Sequence, residues 1–125
     1  MPNILLVMLG GAAGAGLRYE VGRLSLIHIG PGFPWGTLIV NLLGGLLIGL
    51  LAGWLLAGQG DQRPVWILLA VGLLGGFTTF SAFSLELFLM IERGQAGIAL
   101  AYAAASVAGS VILLCLGYWA ARAAA

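Results

Sequence analysis

The sequence predicts an all-α membrane protein with four transmembrane helices in a single domain, residues 1–125. Three observations lead to this fold class: 62% of the residues are hydrophobic, only 7% are charged, and the mean hydropathy is +1.12. A soluble domain of this size needs more charge to form a solvated exterior. The same composition carries no basic patch, so we expect lipid contact and no nucleic-acid partner.

Long uncharged runs define the predicted spans. A helix needs about 20 apolar residues to cross the bilayer core, and we place spans at roughly 2–20, 35–57, 64–91 and 95–122. The second run is too long for one helix. Glycine and proline in GPGFP at 30–34 interrupt it, so we predict a loop over residues 18–34.

The first apolar run, Met1–Leu17, has no positively charged start. We therefore interpret it as a retained span and not as a signal peptide. Small residues recur at four-residue spacing in three of the spans, namely Gly10 and Gly14; Gly45, Gly49 and Gly53; and Gly97, Ala101, Ala105 and Gly109. Such stripes allow close helix packing in lipid, and we expect each to face a neighbouring helix.

The arginines give the chain almost no orientation preference. Arg63 and Arg122 fall on the side of both termini, Arg18, Arg23 and Arg93 fall on the other side, and there is no lysine. The positive-inside rule then selects neither orientation. This balance predicts copies inserted both ways that pair as an antiparallel, dual-topology homodimer. A parallel oligomer with one orientation is the alternative.

The centre of the third span is unusually polar. Residues 75–84 read GGFTTFSAFS, and irregular or polar backbone at this depth is tolerated only where protein buries it or where it lines a cavity. We predict that the helix breaks here near the membrane midplane, which would free carbonyls near Gly75 and Thr78 to hold a small cation. A continuous helix with back-bonded hydroxyls is the alternative.

Uncharged hydrogen-bond donors recur at the same depth. Asn41 is the only amide in the interior of a span, and the fourth span has hydroxyls on one face at four-residue spacing. The predicted donor track comprises Asn41, Thr79, Ser81, Tyr102, Ser106 and Ser110. Phe80 and Phe83 are three residues apart, and their ring edges carry partial positive charge, although core packing would also explain this pair. Such a track suits a small anion better than a cation, which would need carbonyls or carboxylates.

Other reactive side chains are isolated. We interpret Glu86 as an interfacial carboxylate paired with an arginine, Cys115 as a packing residue, and His28 as unsuited to a metal site. The sequence has no nucleophile–base pair or phosphate-binding loop, so we do not expect an enzyme.

Three segments together resemble the signature segments of the CrcB/Fluc family of fluoride channels: GGAAGAGLRY at 10–19, GTLIVNLLG at 36–44 and GGFTTFSAFS at 75–84. The resemblance covers essentially the whole chain. It implies an antiparallel homodimer in the bacterial inner membrane through which cytoplasmic fluoride leaves passively.

The resemblance also implies roles for individual residues. It places Phe80, Phe83 and Asn41 in the pore, together with the fourth-span hydroxyls Tyr102, Ser106 and Ser110. It assigns a structural sodium ion at the dimer centre to the carbonyls of Gly75 and Thr78, and a vestibule position to Arg18. Ala82 departs from the family pattern, which usually has threonine there, so one donor near the pore is missing.

Two other functions remain open at this point. A small dual-topology, proton-coupled multidrug antiporter would need a carboxylate within the membrane, and Glu86 is the single candidate in a span. A scaffold subunit without transport activity would explain the glycine stripes but not the polar cluster at mid-span.

Overall fold

The computed structural model describes residues 2–57 and 63–124 of the chain. Helix α1 covers Asn3–His28 and α2 covers Trp35–Ala57. The third span consists of α3 (Arg63–Trp66), a π-helix (Ile67–Leu74), α4 (Gly75–Phe77) and α5 (Ser81–Glu92), and it is followed by α6 (Ala96–Ala124). The regular secondary structure of the described residues is thus all helical, without strands.

The helices are long and apolar enough to cross a membrane. Within the described ranges there are four such segments, Asn3–His28, Trp35–Leu56, Arg63–Glu92 and Ala96–Ala124. Many large apolar side chains on them are exposed, such as Leu100 at 72% and Leu56 at 67%. A soluble protein would bury such side chains, whereas a lipid-facing surface exposes them. The four-span prediction is confirmed.

Helix α1 is longer than predicted. The loop expected over residues 18–34 is wrong for its first eleven positions, because the helix continues to His28. The three charges in this part lie on the helix, where Arg23 forms a 2.7 Å ion pair with Glu20 one turn earlier. Chain reversal is delayed until Gly30, whose φ of 106° is a left-handed conformation that favours glycine.

Small residues set the packing of α2 on α6. A Cβ atom added at Gly45 would lie 2.5 Å from Ser110 Oγ, and one at Gly53 would lie 2.5 Å from the Tyr118 carbonyl oxygen. The second-span stripe therefore faces a neighbouring helix, as predicted. The fourth-span stripe faces another helix of the chain only at Gly109, where an added Cβ would lie 2.8 Å from Leu42 Cδ2, whereas Gly97, Ala101 and Ala105 are exposed.

Helix α1 packs against the third span in the same way. A Cβ at Gly10 would meet the backbone nitrogen of Leu73 at 2.7 Å, and one at Gly14 would meet that of Phe77 at 2.8 Å. Helix α1 therefore contacts the backbone of the π-helix and of α4. A π-helical turn carries an extra residue relative to an α-helix, and nothing in the sequence pattern predicted it.

Candidate functional site

The backbone between α4 and α5 leaves the helical conformation. Thr78 is extended, with φ −85° and ψ 162°, and its N–H and hydroxyl both donate to the Leu74 carbonyl at 3.0 Å. The Thr79 hydroxyl then accepts the Ala82 N–H at 3.2 Å, close to the start of α5. A Gly-Gly pair followed by two β-branched threonines is poorly suited to a continuous helix, which explains the position of this segment.

The Asn41 side chain completes the hydrogen bonding of this segment from α2. Its Nδ2 donates to the Thr79 carbonyl at 3.0 Å, and its Oδ1 accepts the Thr79 N–H at 3.0 Å. The side-chain amide of Asn41 thus pairs with both backbone hydrogen-bonding groups of one residue, Thr79. In a membrane, where water cannot replace these bonds, such a pair holds the non-helical backbone in place.

Several carbonyls of the segment lose the donor that an α-helix would give them. The Thr79 N–H would reach Gly75 O but goes to Asn41, and the Ala82 N–H would reach Thr78 O but goes to the Thr79 hydroxyl. The Gly76 carbonyl instead accepts a hydrogen bond from Arg18 Nε at 3.1 Å. The Gly75 and Thr78 oxygens are therefore well suited as ligands for a hard cation.

A cavity of about 410 Å³ lies beside this segment. Its polar wall is formed by five uncharged side chains, and its described lining includes no charged residue: the polar residues are Asn41, Thr78, Thr79, Ser106 and Ser110. Phe80 and Phe83 line the same cavity, with ring centroids 5.8 Å apart. Phe83 is buried at 6% exposure, whereas Phe80 is 77% exposed.

The predicted donors differ in whether their protons are already used. The hydroxyls of Tyr102 and Ser110 donate to the Glu86 carboxylate at 2.9 Å and to the Asn41 carbonyl at 3.2 Å. Ser106 is 5% exposed, and its hydroxyl has no partner among the described residues. The Thr79 hydroxyl accepts from Ala82 and forms a 3.4 Å contact with the Ser81 hydroxyl in which either group can donate, so one of these two protons remains available.

A second cavity, of about 660 Å³, lies toward the end of α1. Arg18, Thr37, Ala82 and Glu86 are among its lining residues, and Thr79 lines both cavities. Thr79 therefore lies between the two cavities.

Comparison with known proteins identifies the family. The family model described as "CrcB-like protein, Camphor Resistance (CrcB)" matches residues 5–118. This chain belongs to the CrcB-like family. The resemblance found in the sequence is thereby confirmed.

Three curated CrcB-like relatives carry the name "Fluoride-specific ion channel FluC". The protein of Hyphomonas neptunium is 50% identical over 98% of this chain and 97% of its own length. That of Phenylobacterium zucineum is 54% identical over 98% and 97%, and that of Novosphingobium aromaticivorans is 52% identical over 89% of each chain. With its four apolar helices, this chain is a multi-pass bacterial membrane protein of a channel family, and it is not an enzyme.

The partners of Glu86 in this CrcB-like chain differ from those that the sequence interpretation expected. No arginine pairs with it among the described contacts; its two carboxylate oxygens accept hydrogen bonds from Thr37 at 2.7 Å and Tyr102 at 2.9 Å. The arginine-paired interpretation is wrong because the two arginines that line the same cavity bind elsewhere: Arg18 donates to the Gly76 carbonyl and Arg23 pairs with Glu20.

Thr37 is the site residue that the sequence analysis missed. It contacts Glu86 and lies one helical turn before Asn41, on the same face of α2. That four-residue spacing was the available signal. Ala82, at which the resemblance implied a missing donor, lines the larger cavity.

Proposed function

We propose that this protein is a fluoride-selective passive channel that lets cytoplasmic fluoride leave the cell through the bacterial inner membrane. The observation that carries the proposal is the 410 Å³ cavity whose described polar lining consists only of uncharged amide and hydroxyl groups. The names of the relatives support the choice of fluoride.

The chemistry of the cavity fits a small anion that forms strong hydrogen bonds. Ser106 and Thr79 have hydroxyl protons that no carbonyl or carboxylate of the described residues accepts, and the Asn41 amide has a second N–H. The edges of Phe80 and Phe83 add weak positive poles. Hydrogen bonds to a charged group are about twice as strong as neutral ones, so a desolvated anion gains most from such donors.

We propose an ion path through both cavities. Arg18, at the larger cavity, raises the local concentration of anions in its role as the vestibule residue. The ion then passes Thr79 and Ser81 into the smaller cavity, along Asn41, Phe80 and Phe83. Ser106 and Ser110 continue the polar wall there, while Tyr102 contacts the Phe83 ring and donates its hydroxyl proton to Glu86.

We propose that the working unit is an antiparallel homodimer of oppositely inserted copies, with the segment between Phe77 and Ser81 at the membrane midplane. The exposure of Phe80 beside a cavity that contains hydroxyl and amide groups supports a second copy there, because such groups are costly to leave facing lipid. A terminal tag should be accessible from both sides of the membrane, and accessibility from one side alone would contradict the antiparallel dimer.

We further propose a structural sodium ion held by the Gly75 and Thr78 carbonyls of the two copies. The diversion of their usual N–H donors supports this assignment. When bound, the ion would offset the dipoles of carbonyls left without partners. Replacing sodium by a large organic cation should weaken dimer association, measured by fluorescence transfer between labelled copies; unchanged association would contradict the site.

The decisive experiment measures fluoride and chloride efflux from liposomes under a potassium-ionophore clamp. Purified protein should release fluoride far faster than chloride, and Phe83→Ile should cut fluoride efflux sharply without loss of the dimer. Phe88→Ile is the matched control, because Phe88 is on the same helix but 57% exposed. Equal rates for the two anions would refute fluoride selectivity.

The antiporter alternative is not favoured. Its carboxylate would have to exchange protons and cations, whereas Glu86 accepts two hydrogen bonds from hydroxyl groups. The relatives are named as channels.

A further inference from the structure

We propose that Phe33, in the loop between α1 and α2, is a positioning residue that holds the Tyr102 and Phe83 rings in the orientation required for conduction. The inference rests on the proposed function, since it takes Phe83 to line the fluoride path. It adds a residue outside the three signature segments, one that lines the larger cavity whereas Phe83 lines the smaller.

An unbroken row of ring contacts connects this loop to the cavity. The Phe33 ring meets the Tyr102 ring edge-on, with centroids 5.2 Å apart and an interplanar angle of 77°. The Tyr102 and Phe83 centroids are 5.1 Å apart, and those of Phe83 and Phe80 are 5.8 Å apart. Edge-to-face and tilted pairs at these distances are attractive and restrict how each ring turns.

The loop holds Phe33 firmly. Phe33 is partly buried against the core cluster that contains Tyr102 and Phe83, and its carbonyl accepts the Trp35 N–H at 2.8 Å. Its ring also contacts the Trp35 ring, with centroids 4.7 Å apart. Pro34 fixes the next φ angle before α2 begins. An aromatic side chain in a loop is therefore part of the packed interior.

Tyr102 is where this support reaches the site. Its side chain is 1% exposed, and its hydroxyl donates to Glu86, which also accepts from Thr37. A ring that is held by Phe33 on one side and Phe83 on another has little freedom. Without Phe33, the Tyr102 ring could tilt into the vacated space. Phe83 contacts two rings, those of Tyr102 and Phe80, and the first of these would then no longer be held in place.

The test uses the full-length protein in liposomes, with fluoride and chloride efflux measured for Phe33→Ala, Phe33→Leu and Phe33→Tyr. We expect fluoride efflux of Phe33→Ala to fall by about three- to tenfold, the factor that corresponds to losing one aromatic pair. Phe33→Tyr should remain near wild type. Phe33→Leu restores apolar volume without ring edges and should stay slow. Phe88→Ala, a lipid-exposed phenylalanine, is the control.

A double substitution separates positioning from general packing. In a Tyr102→Leu background, Phe33→Ala should cause no further decrease in fluoride efflux, because the ring through which Phe33 acts is gone. An additive decrease would overturn the inference. So would wild-type efflux in Phe33→Ala, or full recovery in Phe33→Leu. Should Phe33→Ala not yield folded protein, the comparison of the Leu and Tyr variants decides.

The outcomes also separate this inference from the proposed function. Wild-type protein that releases both anions equally would refute the fluoride channel itself. Selective wild-type protein, with impaired Phe83→Ile and unchanged Phe33 variants, would refute the role of Phe33 alone.

Discussion

Removing the Ser106 hydroxyl should slow fluoride efflux without destabilising the protein. Ser106 is 5% exposed, lines the smaller cavity, and its oxygen has no hydrogen-bond partner among the described residues. Replacing a serine by alanine ordinarily destabilises a protein because a hydrogen bond of the serine hydroxyl is lost. Here that bond is missing from the outset, so Ser106→Ala removes only a group whose burial is unfavourable.

Ser106→Ala should have opposite effects on stability and on fluoride efflux. A buried hydroxyl without a partner costs about 1–3 kcal/mol, so Ser106→Ala should leave the free energy of unfolding unchanged or raise it by up to that amount. A hydrogen bond to a charged group contributes about 1.5–3 kcal/mol. Loss of such a bond to fluoride in the path corresponds to a decrease of about 10- to 150-fold.

The assay pairs fluoride efflux from liposomes with the thermal unfolding midpoint in detergent. Ser110→Ala is the matched control: the Ser110 hydroxyl donates to the Asn41 carbonyl at 3.2 Å, so this variant should lose about 1 kcal/mol of stability. Wild-type fluoride efflux in Ser106→Ala would refute the idea that this hydroxyl serves the ion.

Three further predictions concern other contacts. Asn41→Asp keeps the acceptor for the Thr79 N–H but loses the donor to its carbonyl and adds a negative charge; at about 4 Å and an effective dielectric constant of 20 this repels an anion by about 4 kcal/mol, so fluoride efflux should nearly cease. Arg18→Gln removes a cation at the vestibule and weakens the bond to Gly76 O, so efflux should fall and depend less on ionic strength. Gly49→Leu should destabilise the protein by about 1–3 kcal/mol or more in thermal unfolding, because the side chain would overlap the facing backbone.

Each of these has a contrasting outcome. Near-normal efflux in Asn41→Asp would place Asn41 outside the path. Unchanged salt dependence in Arg18→Gln would limit Arg18 to its backbone contact. Gly97→Leu is the control for Gly49→Leu, since Gly97 is open to its surroundings, and equal destabilisation of the two would argue against packing as the cause.

Composition and spacing were sufficient to predict the four spans and most of the second-span packing. Apolar length is a strong signal because the bilayer fixes it, and the Gly45, Gly49 and Gly53 stripe faces α6 as expected. The length of α1 was underestimated because charge was taken to end the span. Charged residues can continue a helix beyond the hydrocarbon, and Glu20 and Arg23 do so as an ion pair.

The sequence singled out several side chains that line the smaller cavity, but it did not predict their hydrogen bonds. Asn41, Thr79 and Ser106 were named from their polarity at depth, and they do line one cavity. Asn41 pairs with the backbone of Thr79, which is 38 positions later in the chain, and Tyr102 donates to Glu86, which is 16 positions earlier. Local pattern carries no information about such pairs. The π-helix at Ile67–Leu74 was likewise not predicted, because its residues are all apolar or glycine and give no pattern that distinguishes a π-helix from an α-helix.

The two hydrogen bonds between Asn41 and Thr79 also restrict how the subunit can deform. If α2 slid along the third span by one residue, about 1.5 Å, both bonds would break together, and hydrocarbon would supply no substitute. A carrier that rocks one half of its structure against the other at each turnover needs movement of this kind between its helices. A subunit whose helices are held together in this way is instead suited to passive conduction down the ion gradient, at a rate that no conformational cycle limits.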